Sequence, residues 1–271
     1  MSISSFPLNR RWAGALALAS ACLAVSAPAE AGVNCEPFRL TARQMGDALE
    51  LAARTASWLE ASGAKVAVIT RAGQNLDQYG LRYSHLGFVY RDDAAKAWRV
   101  VHKLNECGSD RADLYRQGLA EFYLDDLYRY EGAVMVLKPE VQKNLLPILK
   151  ESTMAAALHE PRYNMVAYPW SVKFQQSNQW ALETLALAVE PSVSSRARAQ
   201  AWLQFKGYQP SVLKISPVTR MGARVARNNV SFSDHPDENL YANRVETVTV
   251  DSVFRFLRTS GLSEGDEVVM R

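Results

Sequence analysis

The sequence predicts an α+β protein in which an antiparallel sheet packs against segregated helices. A helix with a full N-terminal signature comes first, three strand-like runs follow with two of them joined as a hairpin, and fresh helix starts punctuate the second half.

Thr41-Ala42-Arg43-Gln44 is a capping box, in which the threonine hydroxyl and the glutamine side chain satisfy orphan amides of a first turn. The apolar residues Met45, Leu49, Leu51, Ala52, Trp58 and Leu59 then recur at three- and four-residue steps, and Gly63 supplies a left-handed stop. Three runs rich in β-branched and aromatic residues come next, at 65–70, 84–90 and 97–104. The second and third are separated only by Arg91-Asp92-Asp93-Ala94-Ala95-Lys96, which predicts an antiparallel hairpin, with one face of the sheet covered by the first helix. Ser109 is read as the cap of a helix containing Leu114, Leu119 and Phe122. A strand over 133–137 and a short helix over 141–149, just past Pro139, complete the first half. Ser177 precedes the periodic run Trp180, Ala181, Leu185, Ala188 and Val189, and Ser195 precedes another that stops at Gly207. A last strand is expected over 247–250, with a short helix through Phe254 and Leu257.

The N-terminus has the form of a secretory signal. Arg10 and Arg11 precede an apolar run of about 14 residues, too short to span a bilayer, and Ala29-x-Ala31 suits a signal peptidase that accepts small side chains. Cleavage is expected after Ala31, leaving residues 32–271 as a single domain in the periplasm or outside the cell, with no transmembrane segment. Arg10-Arg11 also admits a twin-arginine reading, and Leu18-Ala19-Ser20-Ala21-Cys22 a displaced lipobox with an anchor at Cys22; ordinary cleavage is preferred to both. Removing Arg10, Arg11 and Glu30 leaves 29 basic and 27 acidic residues, a net of +2 that makes no case for nucleic acid. In an oxidising compartment the two remaining cysteines, Cys35 and Cys107, are expected to form a disulfide closing a loop of roughly 70 residues.

Of the four histidines, His85 and His102 fall on adjacent predicted strands, with His85 on the same face as Gly87 and Val89. Such a pair suits a general base and the group that fixes its tautomer. Ser177, at a helix start where unpaired amides favour an oxyanion, is the candidate nucleophile, although a serine there is equally a plain N-cap worth about 1 kcal/mol. The run Asp234-His235-Pro236-Asp237-Glu238 reads as a solvated loop, because metal sites draw spaced ligands from regular elements. Neither a metal nor any other cofactor is expected. Tyr163, Tyr168, Trp170 and Trp180 flank Ser177 and would line a groove for an acyl chain, a peptide stem or a sugar, or else sit in the core.

Tyr83-Ser84-His85-Leu86-Gly87-Phe88-Val89 resembles the Ser/Thr-His-x-Gly-hydrophobic strand motif of circularly permuted papain-like proteins of the NlpC type. In that group a second polar residue follows on the next strand, as His102 does, and a nucleophile opens a later helix, here the segment Gln175-Gln176-Ser177-Asn178-Gln179-Trp180. As a whole the chain resembles the domain-of-unknown-function family 2145. The papain-like resemblance implies a papain-like α+β fold and an amidase, peptidase, acyl hydrolase or acyltransferase acting on an amide or ester of the cell envelope, whereas resemblance to family 2145 implies architecture and not a reaction. Ser177 stands where the group carries cysteine, so the alternative is an inactive papain-like binding or assembly protein of the envelope.

Overall fold

The computed structural model describes residues 39–271. The expected signal segment, Cys22 and Cys35 lie outside the described residues.

The chain runs α1 (Ala42–Ser62), β1 (Val66–Arg71), β2 (His85–Asp92), β3 (Ala97–Asn105), β4 (Ala112–Gly118), α2 (Leu119–Tyr123), β5 (Gly132–Val136), α3 (Pro139–Lys150) and α4 (Ser152–Ala155). It continues through α5 (Ser177–Val189), α6 (Arg196–Phe205), β6 (Ser211–Lys214), α7 (Pro217–Ala226), α8 (Asp237–Tyr241), β7 (Arg244–Thr247), α9 (Val250–Thr259) and β8 (Val268–Met270). A six-stranded sheet has the order β4-β3-β2-β1-β5-β8, with every neighbouring pair antiparallel, and β6 and β7 form a separate antiparallel pair. The protein is α+β.

Local chemistry accounts for most of the boundaries. Thr41 and Gln44 make the capping box of α1, and Gly63, at φ 70°, ends it in the left-handed region. Met45 and Leu49 nevertheless stay exposed, and the buried stripe is Ala48, Leu51, Ala52, Thr55 and Leu59. The β2–β3 hairpin pairs Phe88 with Val101 and Asp92 with Ala97. Pro139 occupies the first turn of α3, where its missing N–H costs nothing. Ser195 caps α6 and Gly207 follows it at φ 79°.

The segment after Ser109 departs from the helix expected there. Residues 112–118 form β4, paired residue for residue with β3, and only Leu119–Tyr123 is helical. Pairing along the β3 edge outweighs the three-residue spacing of apolar side chains in so short a stretch. The expected final strand lies earlier, at 244–247, because Thr249 caps α9 by accepting from Ser252 N.

The two faces of the sheet have separate cores. Ala67, Ile69, Val89, Val100 and Val134 pack under α1 and α2 with Leu51, Leu59 and Phe122. Val66, Val68, Leu86, Phe88, Tyr90 and Val101 pack on the other side with Leu145, Trp180, Leu185 and Phe254 from α3, α5 and α9. Because alternate residues of each strand feed alternate cores, the number of a β2 or β3 residue tells which helices it meets.

Candidate functional site

His85 opens β2 and His102 lies on β3, both on the face covered by α1 and α2. One step beyond the Phe88–Val101 pair, Gly87 stands opposite His102. A methyl group on Gly87 would fall 2.8 Å from His102 Cβ and 2.9 Å from Val101 O, so only glycine leaves room for the ring. The two imidazoles meet with His85 Nε2 2.9 Å from His102 Nδ1, and their rings cross at 66°.

The protonation pattern of this pair follows from its neighbours. Gln117 on β4 donates through Nε2 to Glu121 Oε1 (3.2 Å), which leaves its Oε1 to accept from His102 Nε2 (2.8 Å). A neutral His102 that donates at Nε2 can only accept at Nδ1, so His85 donates to it through Nε2. The His85 Nδ1 lone pair is then free to accept a proton.

Both rings are neutral. Burial, reinforced by the Arg71 guanidinium, lowers His102 to about 3, and burial together with Arg71 and His102 holds His85 well below its ordinary value. Arg71 is the β1 partner of His85; it donates to Phe122 O (2.5 Å), pairs with Asp125 (2.5 Å) and lies 4.9 Å from the centre of the Phe122 ring. Phe122 covers both imidazoles, its ring centre 6.1 Å from His85 and 5.3 Å from His102.

Ser177 is the first helical residue of α5, whose N-cap is Gln176, and it is buried. Helix α5 packs against β2 and β3 on the Leu86–Phe88–Tyr90 face: Asn178 Oδ1 accepts from Leu86 N (3.1 Å), and Trp180 meets Phe88 edge-on at 6.1 Å. His85, Gly87 and Val89 alternate to the other face, where Phe122 lies over the rings, while the Leu86 N–Asn178 Oδ1 bond sets the residue after Ser177 against the residue after His85. Of the three expected site residues, the two histidines are in direct hydrogen-bond contact.

A family model described as "Uncharacterized protein conserved in bacteria (DUF2145)" matches residues 58–257. The chain belongs to this family. No curated protein and no solved structure matches it. The DUF2145 span holds both histidines, Gln117, Glu121 and the whole of α5.

Inside that span lies a buried polar network that the reading of motifs missed. Glu183 of α5 accepts from Arg196 Nε (2.7 Å), Gln175 Nε2 (2.6 Å) and Gln200 Nε2 (2.8 Å), and Gln175 Oε1 accepts from the fully buried Lys103 (2.9 Å). Burial, with Arg196 nearby, brings the Lys103 ammonium down to about 7. The one signal in the sequence is Glu183, the lone charged residue of α5. The run beginning at Asp234 is likewise less solvated than expected: Asp234 accepts from Tyr168 N (2.8 Å) and His235 donates through Nε2 to Val166 O (2.8 Å), both side chains being fully enclosed. Among the described residues no group of three or more His, Cys, Asp or Glu side chains is placed to hold a metal. Of the four aromatics near Ser177, Trp180 is in the core, whereas Trp170 lines a cavity of about 350 Å³ with Gln204, Tyr208, Val212, Arg244 and Glu246. Cys107 lies in the exposed turn after β3.

Proposed function

We propose that this DUF2145 protein is an exported component of the bacterial envelope that binds its ligand without hydrolysing it, on a scaffold related to the papain-like group. The observation that carries this reading is that the His85–His102 pair bonds within itself and to Gln117 and faces Phe122, and a serine that no base engages stays a poor nucleophile. The cavity beside Trp170 supports a binding role: it sets that half-buried indole beside Arg244 and Glu246, a lining suited to a peptide stem or sugar of the wall. Export by the segment ending at Ala31, and a bridge between Cys35 and Cys107, belong to the same proposal.

A fluorophosphonate probe tests the catalytic half. Wild type and Ser177→Ala are expected to label equally and weakly; strong labelling that disappears in Ser177→Ala would restore the hydrolase. Titrating soluble wall fragments while following tryptophan fluorescence tests the binding half, with a response expected in wild type and absent from Trp170→Ala.

A further inference from the structure

We infer that α7 is a membrane-surface helix that lays the protein on a bilayer rich in anionic phospholipid. This inference is independent of the catalytic question. Helix α7 is a well-made helix: Ser216 caps it by accepting from Thr219 N (3.2 Å), and Pro217 occupies its first turn. Its ends are fixed to the body. Arg220 donates to Ile215 O (2.8 Å) and Asn243 Oδ1 (3.3 Å), and past the C-terminus Asn228 and Asn229 donate to Gly108 O (2.8 Å) and Asn105 Oδ1 (2.6 Å). Yet none of its residues is buried. Val218, Met221 and Val225 are 75%, 65% and 72% exposed. At 3.6 residues per turn these three fall within an arc of about 60°, a single apolar stripe. Arg220 and Ala223, the residues of α7 that are partly covered, lie roughly opposite. The helix thus rests on the protein by one side and turns its apolar stripe straight outward.

Charge selects the occupant. From residue 191 to residue 233 the chain has no Asp or Glu, while it carries Arg196, Arg198, Lys206, Lys214, Arg220, Arg224 and Arg227. Of these, Arg196 is spent on Glu183, whereas Arg198, Lys206, Lys214, Arg224 and Arg227 are exposed. An outward apolar stripe with Arg224 on its flank and Lys214 and Arg227 just beyond the two ends, on a helix far too short to span a bilayer, suits a helix that lies in the headgroup layer. Nucleic acid would engage the cations and leave the stripe in water.

The test is vesicle flotation of residues 32–271, the compact unit that contains every described element and omits the apolar leader. Vesicles of phosphatidylcholine with about one third phosphatidylglycerol, a composition that provides an anionic surface, are compared with pure phosphatidylcholine. Wild type is expected to float with the anionic vesicles and to be released by salt. Val218→Asp with Met221→Asp is expected to reduce binding about tenfold or more, and Arg224→Glu with Arg227→Glu to abolish the preference for anionic lipid, both with unchanged circular dichroism because neither pair is in a core. Equal flotation of wild type and the apolar double variant would overturn the inference. So would a concentration-dependent dimer that the same variant dissolves, since a second copy would then own the stripe, or tighter binding to a DNA oligonucleotide than to the vesicles.

Discussion

Lowering the pH should destabilise this protein through the His85–His102 pair, and the size of the effect can be worked from its surroundings. The His102 ring has an ordinary value of 6.5 and is brought down to about 3 in the folded chain, because burial beside Arg71 penalises the cation. A depressed folded-state value means that the stabilisation is complete above pH 6.5 and is lost as the pH falls toward 3, the unfolded chain taking up a proton that the folded chain refuses. Between pH 7.5 and pH 5 the unfolded histidine gains about 2 kcal/mol of protonation free energy while folded His102 gains almost none. His85 shifts the same way and adds to the loss. Urea denaturation at pH 7.5, 6 and 5 measures this directly, with His102→Gln as the reference for every other titrating group. The wild type should lose about 2 kcal/mol more than the variant over that interval. Parallel losses, or a His102 ring signal titrating near 6.5 in the folded protein, would refute the reasoning.

Other perturbations read the same structure. Gly87→Ala should cost about 1–3 kcal/mol in thermal or urea melts, because the added methyl must displace His102 or the β3 backbone. Glu183→Gln leaves Arg196 buried beside a neutral partner and should cost about 3–5 kcal/mol, whereas neutralising an exposed pair such as Arg54–Glu50 should change stability by less than about 1 kcal/mol. Thr41→Ala removes the cap of α1 and should cost about 1 kcal/mol, with no effect on fluorophosphonate labelling.

Much of the fold was legible because its signals are local. The capping box at Thr41, the cap at Ser195, the left-handed glycines at 63 and 207 and the hairpin between 84 and 104 depend on residues a few positions apart. Residues 112–118 depart from the helix the sequence predicts because their state is set by the edge of β3, which no local pattern reveals. The short strands β6 and β8 carry no local signal for the same reason, each being set by its pairing with a distant strand. At the candidate site, the hairpin correctly brought His85 to His102, and strand alternation put His85 with Gly87 and Val89. What alternation cannot tell is which helix covers which face. That is decided by the apolar partners of Leu86 and Phe88, namely Trp180, Ala181 and Leu185, and it sends α5 to the side away from the histidines. The acid-free stretch around α7 was open to inspection in the sequence but vanishes in a net charge of +3 for the whole chain.

Helix α5 has almost no outer surface. From Ser177 to Ala186 every residue is buried, with the sheet on one side and α3, α6 and α9 around the rest. Its amides should be among the last to exchange with deuterated solvent, since exposing them requires lifting several neighbours at once. Loss of α5 therefore means loss of the whole, and residues 39–271 should melt in one cooperative step rather than in stages.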